Sequence, residues 1–157
     1  MSMFGDETVN ALILQYRDLP HDETVARRNR KILMDALDAL AAGDLDGFWS
    51  IFDPEVVFHE APCLPYGGVY RGLEATKQAF YRMGAAYSHM RAQIEAVLAA
   101  QDMAVLYQTI EFRVRETGKT GALPVMEMFR LRDGKVVEWR AFYFDSSMVA
   151  AALGARG

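Results

Sequence analysis

The chain reads as an α+β roll in which helices of the N-terminal half pack on one face of a curved, mostly antiparallel sheet. Three observations predict it. In the N-terminal half, apolar residues recur at helical spacing around one strand-like run. In the C-terminal half they give way to alternating segments rich in β-branched and aromatic residues. Those segments are joined by short turns, among them Asp133-Gly134, where both positions favour the positive φ of a two-residue hairpin. Hairpin-linked strands form a meander, and a meander with one apolar face needs helices to cover it.

The elements follow in order. Val9, Leu12, Ile13 and Tyr16 predict a short helix within Thr8–Arg17, and residues 1–20 read as an extension to a single domain spanning 21–157. Asp22 can cap a helix over Glu23–Ala42, because its carboxylate accepts the first unpaired amide protons. Val25, Ile32, Leu33, Ala36, Leu37 and Leu40 make the apolar stripe of that helix. Gly43 ends it, and Asp44 caps a second helix over Leu45–Phe52 that Asp53-Pro54 stops. Glu55–Glu60 reads as the first strand, and Ala61–Arg71, rich in Pro and Gly, as a loop. A third helix is expected over Gly72–Met90. Strands are expected at Arg91–Ala100, Met103–Glu116, Ala122–Arg132 and Lys135–Asp145, and Ser146–Leu153 as a last short helix.

Bulk properties narrow the function. The 157 residues are 52% hydrophobic and 24% charged, which suits one globular domain rather than a disordered chain. A net charge of −4 speaks against nucleic-acid binding, which calls for a basic face. The run Arg27-Arg28-Asn29-Arg30-Lys31 falls within a helical pattern and reads as a solvated face. A single cysteine, Cys63, allows no intramolecular disulfide and has no basic neighbour in sequence to lower its pKa. No apolar run reaches the ~18 residues of a membrane span and no secretory leader is evident, so a cytoplasmic protein is expected. No two histidines share a metal-like spacing, and no metal or cofactor is expected.

Three blocks carry a resemblance. LAAGDLDGFWSIFDPEVVFHEAP, GGVYRGLEATKQAF and MEMFRLRDGKVVEWRAFYFD resemble the nuclear-transport-factor-2-like superfamily, in its SnoaL-like polyketide cyclase and ketosteroid isomerase branch. The resemblance covers most of Glu23–Asp145. It implies a cone-shaped roll with one internal pocket between the sheet and three helices, and a homodimer through the outer sheet face. It also implies site residues. Glu60, just before Ala61-Pro62, stands at the place of the family's general base. Glu127 matches the acid that stabilises an oxyanion, a group held protonated by its apolar site in ketosteroid isomerases. The family's oxyanion tyrosine, seven residues before the glycine that ends the first long helix, is Ala36 here. A different donor, such as Tyr107 or Tyr143, is then needed.

Alternation along the strands completes the expected pocket. The resemblance favours Val137, Trp139, Ala141 and Tyr143 as inward. Leu123, Val125, Glu127 and Phe129 would face them, with Val105, Tyr107, Thr109 and Glu111 on the middle strand. The ligand-binding set is thus Tyr66, Arg71, Phe80, Tyr107, Glu111, Phe129, Trp139 and Tyr143, around the catalytic pair Glu60 and Glu127. Such a pocket suits a small apolar ligand with one or two polar groups. His59 faces away from Glu60, and Phe112, Val114, Phe142 and Phe144 are expected on the outer, dimerising face. Two readings remain open at this point: a cofactor-free acid–base enzyme acting on a small apolar carbonyl compound, and a non-catalytic ligand-binding or dimerisation module of the same fold.

Overall fold

The computed structural model describes residue 19 and residues 21–155. The order is α1 (Glu23–Ala41), α2 (Leu45–Trp49), β1 (Phe52–Glu60), β2 (Gly68–Arg71), α3 (Leu73–Ala85), β3 (Tyr87–Ala100), β4 (Met103–Val114), β5 (Thr120–Arg132), β6 (Lys135–Tyr143) and α4 (Ser146–Ala152). The strands form one curved, unclosed sheet in the order β2-β1-β6-β5-β4-β3. Only β1 and β6 run parallel among these neighbours. The α+β roll expected from the sequence is therefore the fold observed. The helix expected within Thr8–Arg17 lies outside the described residues.

Local chemistry explains the helix boundaries. The Asp22 carboxylate accepts from the amides of Thr24 (2.8 Å) and Val25 (3.1 Å), which starts α1. Gly43, at φ 79°, ends it. The basic run on α1 is solvated except for Asn29, which is 1% exposed and donates from Nδ2 to the Gln101 carbonyl (3.0 Å) at the β3–β4 turn. Helix α2 ends at Trp49, earlier than expected, and Asp53-Pro54 lies in the first residues of β1, where the pairing to β6 is irregular. Helix α3 stops at Ala85 rather than Met90. The Arg115 side chain caps it by donating to the carbonyls of Ala85 (3.0 Å) and Tyr87 (2.8 Å), and from Tyr87 the backbone pairs with Val114. Strand β2 lies where the sequence predicts only loop. Its four residues pair with β1 as an edge, too short to show a period. The Asp133-Gly134 turn is as expected, with φ 51° and 80°.

Two apolar clusters fill the concave side of the sheet. One joins Leu33 and Ala36 of α1 to Phe48 and Trp49 of α2 and to Phe58, Leu106, Phe129 and Trp139 of the sheet. The other gathers Tyr66, Tyr87, Phe112, Val114, Leu123, Val125 and Val149 beneath α4. On β6 a bulge puts Val136, not Val137, into the first cluster, after which Trp139, Ala141 and Tyr143 face inward as expected.

On β4 the expected faces are reversed. Glu127 pairs with Leu106 across β4–β5, so Leu106, Gln108, Ile110 and Phe112 share the inner face with it. Tyr107 and Glu111 therefore point outward. Phe112 (4% exposed) and Val114 (1%) are core residues rather than outer-face ones. Both sides of β4 carry large apolar residues, so period two alone does not choose between them. Gly121, opposite Phe112, leaves room for its ring: a Cβ there would lie 2.7 Å from Cζ. This assignment predicts that Phe112→Ala destabilises the fold by about 3–5 kcal/mol in chemical denaturation. Tyr107→Ala, on the outer face, will cost clearly less; equal losses would restore the opposite facing.

Candidate functional site

Between the clusters the sheet and helices enclose a cavity of about 410 Å³. Its wall is mostly apolar: Leu37 and Leu40 of α1, Phe48 of α2, Phe80 and Met83 of α3, and Phe58, Phe129 and Trp139 of the sheet. The ionisable groups in that wall are Glu60, Glu127 and Tyr143.

Glu60 ends β1 and is 5% exposed. Its Oε1 accepts from the Ala61 amide (2.7 Å) and its Oε2 from the Tyr143 hydroxyl (3.1 Å). Burial pushes its pKa up to about 7 and the Glu127 charge adds to the rise, while both hydrogen bonds pull it back. Glu127 lies mid-strand on β5, with β4 on one side and β6 on the other. Gln108 Nε2 donates to its Oε1 and Trp139 Nε1 to its Oε2, each at 2.7 Å. Burial raises its pKa as well, against those two donors. Among the described residues no arginine pairs with either carboxyl: Arg130 is bonded to Asp102 (2.8 Å) and lies 3.6 Å from Glu138, and Arg140 is bonded to Glu138 (2.8 Å).

A second, smaller chamber of about 60 Å³ adjoins the cavity. Met83, Met90, Ile110, Glu127 and Tyr143 belong to both walls. The Tyr66 and Tyr87 hydroxyls, 2.6 Å apart, sit on its far side. Burial raises the pKa of Tyr66, Tyr87 and Tyr143, so these phenols stay protonated.

The structure thus brings together Glu60, Glu127, Phe80, Phe129, Trp139 and Tyr143 on one cavity. Tyr66 lines only the small chamber. Arg71 is exposed on β2, away from the cavity wall, because alternation along that edge strand turns it outward. Tyr107 and Glu111 are on the convex face for the reason given above, and Tyr107 is removed as an oxyanion donor. His59 faces away from Glu60 as expected, 3.3 Å from Arg140 Nη2 and 3.5 Å from Glu138; burial and Arg140 lower its pKa. Sequence reasoning missed Gln108. The available signal was a polar residue two positions from both Leu106 and Ile110. Among the described residues, no three His, Cys, Asp or Glu side chains gather as a metal site would require, and no helix is long and apolar enough to cross a membrane.

This architecture has relatives. Residues 34–139 match the SnoaL-like domain family, and with more than half of its length matched the chain belongs to that family. An NTF2-like protein from Burkholderia thailandensis E264 superposes with a TM-score of 0.73 at 24% identity, over 80% of this chain and 96% of that one. A candidate SnoaL-like polyketide cyclase from Jannaschia sp. CCS1 gives 0.70 at 19% identity, over 85% and 96%. TerC, co-crystallised with polyporic acid, gives 0.70 at 18% identity, over 81% and 98%. At these identities the likeness is one of fold. No curated protein matches the sequence.

The raised carboxyl has a consequence for stability. Glu60 titrates at 4.5 when unfolded and at about 7 when folded. The folded state therefore holds a proton that the unfolded state has lost, and stability falls as pH rises from 4.5 through 7. That difference is worth about 3 kcal/mol from this group. Glu60→Gln should flatten the decline and be more stable than the parent at pH 8 in thermal unfolding. Parallel pH curves for the two proteins would show that Glu60 is not perturbed.

Proposed function

We propose that the chain is a cofactor-free acid–base enzyme of the SnoaL-like and ketosteroid-isomerase-like kind, moving a proton next to the carbonyl of a small apolar compound. The observation that carries this reading is the convergence of Glu60 and Glu127, both without a cationic partner among the described residues, on one apolar cavity. Two negative charges in such a site repel, which favours a state with one proton on the pair. A carbonyl oxygen bound at the sheet floor draws that shared proton onto Glu127, and Glu60, near neutrality, is then the base.

Glu60 then takes a proton from the carbon beside the carbonyl. The C–H electron pair forms the C=C of an enolate and the C=O pair moves onto oxygen. The Glu127 hydroxyl donates to that oxygen as charge develops there. Glu60 returns the proton to a carbon of the same substrate. Gln108 and Trp139 position Glu127, and Tyr143 positions Glu60. The polyketide cyclase description of one structural relative and the polyporic acid held by another support a ring-bearing substrate.

The reading is tested by exchange of the α-protons of benzyl methyl ketone in deuterated water, followed by NMR. Exchange should speed up as pH rises through about 7, where Glu60 ionises. Glu60→Gln should slow it by about a hundredfold or more and remove that inflection. An unchanged rate in the variant overturns the proposal and leaves a binding module.

We further propose a homodimer through the convex face. There Met126, Phe142 and Phe144 are exposed, Phe144 at 83%, beside Tyr107 and Pro124. An apolar patch of this kind marks an interaction surface. Sedimentation at micromolar concentration should show a dimer that Phe142→Glu dissociates. A monomeric parent protein would count against this interface.

A further inference from the structure

The small chamber lies beyond Glu127 and Tyr143 as seen from the main cavity, and its walls come from the second apolar cluster. Tyr66, Tyr87, Phe112, Leu123, Val125 and Val149 enclose about 60 Å³, the volume of roughly two water molecules. Water held there would need two to four polar partners. The polar groups on its walls are bonded to one another or to neighbours: Tyr66 with Tyr87, Tyr143 with Glu60, and Glu127 with Gln108 and Trp139. What faces the space is mostly aliphatic and aromatic carbon. A mostly apolar chamber of this size suits an apolar group of about two carbons, since a methyl group and a water molecule are of similar size.

Glu127 and Tyr143 stand in the wall common to both chambers, whereas Glu60 lines the large one alone. A carbonyl oxygen held by Glu127 would sit at the junction. Its ring-bearing side would lie among Phe48, Phe58, Phe80 and Trp139, with its α-carbon toward Glu60. Its other substituent would enter the small chamber.

We propose that the small chamber is a specificity subsite for a short alkyl arm on the far side of the substrate carbonyl, with an ethyl group filling it. This rests on the carbonyl reading above for its orientation. The substrate class is then an aryl-bearing ketone with a one- or two-carbon arm, and discrimination among homologues resides in Leu123, Val125 and Val149.

The test measures binding of benzyl methyl, benzyl ethyl and benzyl pentyl ketone by titration calorimetry, with α-proton exchange followed on the same samples. The ethyl ketone should bind about fourfold more tightly than the methyl ketone, the worth of one buried methylene. The pentyl ketone should bind at least about tenfold more weakly than the ethyl one, because overfilling a packed site is unfavourable. Val149→Phe, which fills the chamber, should abolish the preference for ethyl over methyl. Leu123→Ala, which enlarges it, should recover pentyl binding and serves if the first variant does not fold. Affinity that rises evenly to the pentyl ketone, a profile that Leu123→Ala leaves unchanged, or no binding of any of the three overturns the subsite. A peaked profile without exchange keeps the subsite and overturns the proton-transfer reading; exchange without a peak does the reverse.

Discussion

A carboxyl group buried without a cation must be held by donors or keep its proton. Glu127 does the first through Gln108 and Trp139, and the shift of its pKa favours the second. This constraint organises the centre of the sheet. β5 needs a donor-bearing strand on each side, and its place between β4 and β6 supplies Gln108 from one and Trp139 from the other. Trp139 then has its indole nitrogen tied to Glu127 while its ring stacks on Phe129 and packs against Phe58. One side chain thereby joins the polar floor to the first apolar cluster. Removing either donor would leave Glu127 more costly to ionise and raise its pKa further.

Glu60 obeys the same constraint at a strand end. Its oxygens are bonded to the backbone amide of the next residue and to Tyr143, two residues on from Ala141, which pairs with Glu127. The two carboxyls are thus connected through β6, and the charge on Glu127 is felt at Glu60. Between them the apolar clusters stop short of merging, and the gap is the cavity.

Much of this was legible in the sequence. Asp22, Gly43 and the Asp133-Gly134 turn fixed element boundaries because their chemistry is local. Glu60 and Glu127 were marked by the family resemblance, which places both at positions of known carboxyl groups. Facing on β4 was not legible. Val105 and Tyr107 on one side are as apolar as Leu106 and Ile110 on the other, and the choice depends on pairing with β5, a non-local event. Tyr107, Glu111, Phe112 and Val114 were misplaced together for that one reason. Helix α3 was extended through Met90 because its helical spacing continues past Ala85. The stop comes from Arg115, thirty residues downstream of Ala85, which no local pattern reveals.

Ala36 shows how far the family resemblance reaches. It is buried in the first cluster, and the neighbouring positions that face the cavity from α1 are Leu37 and Leu40. The helix therefore brings no phenol to the site. Tyr143 lies in the cavity wall, but its hydroxyl is bonded to Glu60 rather than left free for a ligand. Replacing the helix tyrosine by alanine thus changes more than one hydrogen bond. Under the proposed function it would leave oxyanion stabilisation to a group that must be neutral to donate, and carbonyl binding would depend on the proton held by the carboxyl pair. A tyrosine donor would work at any pH below its own high pKa, whereas a carboxylic acid works only while the apolar wall keeps it protonated. In that reading the aromatic lining would take part in the acid–base chemistry as well as contain the ligand.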